Sequence, residues 1–292
     1  MEWQEQRQKP HVAIFPGFGS GHHIPLLELA KRLTVYHGFF VAFFTAKWMD
    51  DSPHHTLSSS SRGMIRFIEL PDVQVEGDHA KMNIFVRMPL LLEKAKILVQ
   101  DALISFSFPI RAFIISFFDA PMLDFASKLE IPAYIFSTSG ASLLCIMLYL
   151  PTLVHNIQIS FKDVDFPIEV SGLSPIPEID LPNPLLDRSD ISFNWFIQHS
   201  LRLQEAHGIL INTCQDMEPE QIKALKEGKV LSAAEMTPSI YPVGPLIASS
   251  QSESEEKFEK EGCLKWLDRQ PTSSVLFVSF GSRGTLSENQ IR

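Results

Sequence analysis

Short apolar runs alternate with amphipathic stretches along most of the chain, which is the pattern of an α/β protein. Residues 11–15 form an apolar run typical of a buried parallel strand, and residues 39–45 form another. Between them, Pro25 opens a stretch whose leucines recur at helical spacing, so we expect a helix to begin at this proline. A strand, a helix and a second strand in this order predict a right-handed crossover in a parallel sheet.

The same alternation predicts further elements downstream. Strands are expected at residues 64–70, 112–117, 133–137 and 208–212. Helices are expected at 80–105 (one or two helices, broken near Pro89), 121–129, 141–149, 193–206 and 218–227. A proline-rich segment, residues 167–187, is expected to be an extended loop. The prediction is therefore a Rossmann-like parallel sheet with flanking helices.

The chain changes character near its C-terminal end. Residues 249–262 are charged and carry no apolar face, which indicates an exposed linker. The apolar run that follows at residues 274–280 predicts one strand of a second sheet. We therefore predict an N-terminal domain over residues 1–246, a linker over 247–262, and the start of an incomplete second domain over 263–292.

Composition narrows the classes of function. The 292 residues carry 25 basic and 34 acidic side chains, and a net charge of −9 argues against nucleic acid or an anionic membrane as the main partner. The three cysteines have no metal-ligand spacing, so we expect free thiols in a reducing compartment. No apolar stretch is long enough to span a bilayer, and the N-terminus lacks the apolar core of a signal peptide. These features predict a cytoplasmic protein.

A glycine-rich loop follows the first predicted strand, in the segment PGFGSGHHIP at residues 16–25. Open α/β sheets bind ligands at this edge, and the glycines, Gly21 among them, let the backbone approach a ligand closely. His22 interrupts the GxGxxG spacing of a dinucleotide site, which argues against a nicotinamide-dependent oxidoreductase. A buried imidazole beside a helix N-terminus is held neutral and can accept a proton, although a solvent-facing loop histidine is the alternative.

Polar residues also follow three other predicted strands. Ser116 ends one strand, and Asp119 after it is either a helix cap, which we favour, or a carboxylate in a cleft. Thr138 lies in FSTSGAS (136–142), where hydroxyl and backbone N–H groups either cap the next helix or bind a sugar or phosphate. Gly281 and Ser282, after the last predicted strand, could cradle a diphosphate with backbone N–H groups.

Taken together, these segments resemble the plant family of UDP-dependent glycosyltransferases that act on small molecules. The resemblance rests on the opening HVAIFPGFGSGHHIPLLELAKRL and on GILINTCQDMEPE, YPVGPL and CLKWLDRQPTSSVLFVSFGS in that order. The segments SGLSPIPEIDLPNPL and YIFSTSGAS are most similar to the subgroup that includes flavonoid C-glucosyltransferases. The resemblance implies a GT-B architecture of two Rossmann-like halves with the reaction between them.

The resemblance also implies a chemistry. Family members transfer a sugar from UDP with inversion, and a neutral histidine, matched here by His22, removes the acceptor's proton. The resemblance places Gly21, Thr138, Gly281 and Ser282 at the donor, with UDP-sugar as co-substrate, no cofactor and no metal. It implies a phenolic acceptor such as a flavonoid, linked through oxygen or carbon, and glucose as the sugar. It implies no oligomeric state.

Two departures from the family pattern bear on function. The aspartate that normally pairs with the histidine is replaced by Ser116, and Asp119 is a possible substitute if its loop turns back toward His22. The HxGxxS element of the nucleotide-sugar site does not occur in the sequence, so we expect an incomplete donor site. Two hypotheses remain open: an acceptor-binding part of a glycosyltransferase, and a non-catalytic protein that binds small molecules.

Overall fold

The computed structural model describes residues 9–49, 63–73, 84–231, 238–247 and 263–278, and it comprises two units, Met1–Ala248 and Ser249–Arg292. Strands of the first unit are β1 (His11–Phe15), β2 (Phe40–Thr45), β3 (Ile65–Glu69), β4 (Ile110–Ser116), β5 (Ala133–Ser137), β6 (Gly208–Ile211) and β7 (Ser239–Pro242). Its helices are α1 (Ser20–His37), α2 (Ile84–Ser105), α3 (Leu123–Lys128), α4 (Ala141–Asn156), α5 (Asn183–Leu186), α6 (Ile191–Leu203) and α7 (Pro219–Lys226).

The seven strands form one parallel sheet in the order β3-β2-β1-β4-β5-β6-β7. Alternate residues of β1 enter different cores: Val12 and Ile14 pack with the leucines of α1, whereas Ala13 and Phe15 belong to the larger cluster that includes residues of α2 and α4. Both faces of the strand are therefore covered, which explains why it is apolar throughout. The α/β fold class and the parallel sheet are confirmed.

Three helices differ from the prediction at their prolines. Helix α1 begins at Ser20 rather than Pro25, because the backbone N–H groups of His22 and His23 both donate to Gly19 O (3.0 and 3.2 Å) and close the first turn earlier. Helix α2 is not broken, since Pro89 lies inside it. Helix α4 continues through Pro151, where its packed face supports it after one backbone hydrogen bond is lost.

Two β segments also differ from the prediction. Strand β7 was not predicted; only Ile240 of its four residues is buried, so no apolar run marks this edge strand. In the second unit, helix α8 (Cys263–Leu267) forms, but residues 274–278 do not form the predicted strand. They are exposed, and residues 263–278 contain no second strand to satisfy their backbone groups. Most of the predicted linker, residues 248–262, lies outside the described residues.

The strand order places a switch point between β1 and β4. From β1 the sheet grows through β2 and β3 on one side and through β4 to β7 on the other. The loops that leave the carboxyl ends of β1 and β4 diverge at such a point, which opens a crevice where α/β proteins bind ligands. Both the glycine-rich loop and Ser116 lie at this edge.

Candidate active site

His22 and Ser116 are in direct contact at the switch point. Helix α1 carries His22 in its first turn, and Ser116 is the last residue of β4. The two lie 94 positions apart, yet His22 Nδ1 is 2.5 Å from Ser116 Oγ. A neutral imidazole with its proton on Nδ1 donates to this hydroxyl and keeps the lone pair of Nε2. The pair therefore leaves one ring nitrogen able to accept a proton.

Burial, and secondarily the neighbouring His23, lower the pKa of His22 from 6.5 to about 4. Burial disfavours the charged imidazolium, and a second positive ring beside it adds repulsion. His22 is therefore neutral at physiological pH, as a general base must be before it acts. Its role as the base remains a prediction.

Asp119 does not take the place of an aspartate paired with His22. Its carboxyl group is fully buried, and neither oxygen has a hydrogen-bond partner. Burial raises the pKa of this carboxyl well above its usual value, and a weaker interaction with the Ser116 backbone, whose geometry is not that of a hydrogen bond, opposes the shift only in part. The neutral, protonated form is therefore favoured, and such a group supplies no negative charge to an imidazolium.

The favoured prediction of a helix cap is also wrong for the Asp119 side chain. Asp119 precedes the 3-10 turn Ala120–Met122, but its carboxyl makes no capping hydrogen bond. The side chain packs against Gly17 instead, where a Cβ atom would lie 2.5 Å from Asp119 Oδ2. Gly17 has φ 67°, and its carbonyl oxygen is 2.9 Å from His23 Nε2. The glycine is thus required both by the backbone conformation and by the close approach of the carboxyl.

The rings of Phe118 and Trp195 form an aromatic surface next to His22, which we call the aromatic wall. The ring of Phe118 is 5.6 Å from the His22 ring and 5.0 Å from that of Trp195, measured between centroids. Phe118 and Trp195 are both half-buried, whereas Phe117 is in the core. His199 contacts both residues of the aromatic wall: its Nε2 is 2.7 Å from Phe118 O, and its ring centroid is 3.8 Å from that of Trp195. Phe118 is only partly buried, and it packs against the same core cluster that contains Phe117.

The N-terminus of α4 is capped by a residue that sequence analysis missed. Glu218 accepts hydrogen bonds from the backbone N–H groups of Ala141 (2.8 Å) and Ser142 (2.9 Å), and from Ser142 Oγ. Burial opposes ionisation, but these bonds outweigh it and lower the pKa of Glu218. The serines and Thr138 of the loop do not cap the helix. A carboxylate therefore occupies the place where a phosphate could have bound.

The remaining predicted donor residues are placed only in part. Thr138 follows β5 and is half-buried, at the same sheet edge as Ser116. Gly21 lies in the first turn of α1, and a Cβ atom there would meet nothing within 4 Å. Gly281 and Ser282 lie outside the described residues. The structure thus brings His22 to Ser116, and it places Thr138 on a neighbouring strand end.

Within the described ranges, no group of three or more His, Cys, Asp or Glu side chains could hold a metal ion. Cys145 and Cys214 are free thiols. None of the helices in the described ranges combines the length and the hydropathy needed to cross a membrane.

No protein-family model matches the chain. It is 36% identical to UDP-glycosyltransferase 72B1 of Arabidopsis thaliana over 98% of its length, and 34% identical to a hydroquinone glucosyltransferase of Rauvolfia serpentina over 96%. In both comparisons it covers 59% of the relative. The chain therefore spans about three fifths of the length of these curated relatives.

Solved structures give the same result. UGT2 of Phytolacca americana, complexed with UDP-2-fluoro-glucose and pterostilbene, matches with a TM-score of 0.82 and 33% identity. The match covers 97% of this chain and 62% of that protein. The resemblance to plant UDP-glycosyltransferases is confirmed over nearly the whole chain.

Proposed function

We propose that this chain, which resembles plant UDP-glycosyltransferases from its first strand to its last described residues, is the acceptor-binding part of an inverting glycosyltransferase. It transfers a hexose, glucose, from UDP-glucose to a phenolic acceptor such as a flavonoid, through oxygen or carbon. The observation that carries the proposal is the neutral His22 held by Ser116 at the switch point of the sheet. No further cofactor or metal takes part.

The aromatic wall supports an acceptor of this class. Phe118 and Trp195 are half-buried, the Phe118 ring lies beside the His22 ring, and aromatic faces bind a flat phenolic ring by offset or edge-to-face contact. A phenol held there directs its hydroxyl toward Nε2 of His22. Hydroquinone, after which one relative is named, and pterostilbene, which is bound in one of the similar structures, both carry phenolic hydroxyls of this kind.

The reaction then needs one proton transfer and one displacement. His22 Nε2 takes the proton of the acceptor while the acceptor atom bonds to the anomeric carbon of the sugar, and the bond from that carbon to UDP breaks. Thr138 contacts the transferred sugar from the end of β5, and Gly21, Gly281 and Ser282 contribute to donor binding. The protein acts in the cytoplasm, where Cys145 and Cys214 stay reduced.

The test uses the 292-residue chain with UDP-glucose and a panel of phenols, with product measured by mass spectrometry and phenol binding by calorimetry. We expect phenols to bind, and we expect any product to form at a rate that His22→Ala lowers about 10²–10⁴-fold, because a general base contributes that much. His155→Ala, at an exposed position of α4, is the matched control and should change little.

Three outcomes separate the alternatives. Product that persists in His22→Ala contradicts the assigned base. Binding of phenols without any product supports the non-catalytic binding protein, which the replacement of the usual aspartate by Ser116 favours. Failure to bind any phenol contradicts both functions.

A further inference from the structure

The partner of His22 is a neutral group, and no charged one takes its place. Nδ1 contacts the Ser116 hydroxyl at 2.5 Å, and among the described residues no carboxylate forms a hydrogen bond with His22. Ser116 is buried and His22 is half-buried, so the hydroxyl is screened from water whereas the imidazole is partly open to it. The other ionisable groups nearby are His23 on the same helix and Asp119 on the loop after β4, and neither of them favours a positive charge on His22.

This arrangement changes what the acceptor must contribute. When Nε2 accepts a proton, an imidazolium forms beside a hydroxyl dipole instead of a full negative charge. An opposite charge within about 4–6 Å raises a pKa by 1–3 units, which is a 10- to 1000-fold change in proton affinity. Without that charge the base is weak, so the acceptor must release its proton more readily for the transfer to proceed.

On the premise of the proposed function, we propose that the His22–Ser116 pair restricts this protein to acidic hydroxyl acceptors, such as phenols with electron-withdrawing groups, and excludes aliphatic alcohols. The O–H bond of the acceptor breaks and its proton moves to His22 Nε2. The oxygen bonds to the anomeric carbon, and the electron pair of the bond from that carbon to phosphate leaves with UDP. Ser116 acts through His22 and is therefore a positioning residue that sets specificity.

The first experiment measures the imidazole itself and needs no substrate. Proton NMR follows the titration of His22, identified by its absence in His22→Ala, in the wild type, in Ser116→Asp and in Ser116→Asn. We expect the wild-type value to lie below about 6.5, the ordinary value for histidine. Ser116→Asp should raise the pKa of His22 by about 1–3 units, whereas Ser116→Asn, which has the same size without the charge, should not.

Two results would overturn the proposal at this stage. One is an equal effect of Ser116→Asp and Ser116→Asn, because the charge at position 116 would then have no influence on His22. The other is a wild-type pKa at or above about 6.5, which decides the matter even if Ser116→Asp fails to fold by circular dichroism.

The second experiment measures specificity. The 292-residue chain is supplied with UDP-glucose and a graded series from 4-nitrophenol through phenol to benzyl alcohol, and the absorbance of bound 4-nitrophenolate reports proton transfer in the complex. We expect product to decline along the series in the wild type, and Ser116→Asp to bind 4-nitrophenol with a larger ionised fraction than Ser116→Asn. Equal product from phenol and benzyl alcohol refutes the specificity but leaves the proposed function intact. Binding of no phenol contradicts the proposed function, and the NMR comparison still decides the role of Ser116.

Discussion

The buried carboxyl of Asp119 should make the free energy of unfolding decrease as the pH rises. Both of its oxygens lack hydrogen-bond partners, and burial raises its pKa well above the usual value. In the unfolded chain the same carboxyl is solvated, and its pKa is then the ordinary value for aspartate, about 3.9. The folded chain therefore keeps a proton that the unfolded chain releases as the pH rises.

The free energy of unfolding must therefore fall as the pH rises from the pKa of this carboxyl in the unfolded chain to its raised pKa in the folded chain. Below about pH 4 both states hold the proton, so Asp119 carries no penalty. Above it, each pH unit removes about 1.4 kcal/mol until the folded carboxyl ionises. His22 changes the free energy of unfolding in the opposite direction. Its pKa of about 4 in the folded state lies below the value of about 6.5 in the unfolded state, so the folded chain loses stability as the pH falls from about 6.5 toward 4.

The two slopes oppose each other between pH 4 and 6.5, so the variant Asp119→Asn is needed to isolate one of them. Asparagine has the same shape as aspartic acid and stays uncharged at every pH. Its burial therefore changes the free energy of unfolding by an amount that does not depend on pH. We expect the free energy of unfolding of Asp119→Asn, relative to the wild type, to increase by up to about 1.4 kcal/mol from pH 5 to pH 6.

Urea unfolding followed by circular dichroism at the two pH values provides the measurement, with linear extrapolation to water. The His22 contribution cancels in the difference, since His22 is present in both proteins. A difference that is the same at pH 5 and pH 6 would refute the reasoning, because Asp119 would then be ionised in the folded chain.

Three further variants test the site's supporting contacts by the same unfolding assay. Gly17→Ala should cost about 2 kcal/mol, since a Cβ atom meets Asp119 Oδ2 at a positive φ; a cost near zero would contradict the close approach. Gly21→Ala is the control and should gain up to about 1 kcal/mol, because its helical position is open. Glu218→Gln should cost about 1–2 kcal/mol at neutral pH through the weaker cap of α4. That cost should vanish as the pH falls through the lowered pKa of the carboxyl, and a cost that is independent of pH would argue against an ionised cap.

The apolar pattern predicts the sheet well because its strands are buried on both faces. Strand β1 and strand β5 have the predicted bounds, and each is largely buried. Prolines were less informative: the pattern assigned Pro25 and Pro89 to a helix start and a helix break, but both lie inside continuous helices. A single lost backbone bond is outweighed by the packing of the helix, which only the tertiary structure shows.

The site divides in the same way between local and long-range information. The pattern predicts the end of β1, and it predicts the end of β4 to within one residue, so the approach of His22 to Ser116 could be anticipated from a parallel sheet. The cap from Glu218 could not, because it joins positions 77 residues apart without a local pattern. The position of Phe118 beside His22 could not be predicted either, because it depends on the turn after β4, where the Phe117 and Phe118 rings stand edge to face.

The turn after β4 explains why Asp119 does not replace the aspartate that the family places at position 116. The backbone N–H of Asp119 donates to Ser116 O (3.0 Å), and that of Met122 donates to Asp119 O (2.8 Å), so both sides of the residue are held. This geometry directs the carboxyl toward Gly17 and away from a hydrogen bond with His22. Rotation of the side chain alone would not supply a charge, because the carboxyl is fully buried and would still have to lose its proton there. The loop thus contains a carboxyl three residues after Ser116 that does not reach His22, and a carboxylate at residue 116 itself would stand where the Ser116 hydroxyl now contacts His22 Nδ1.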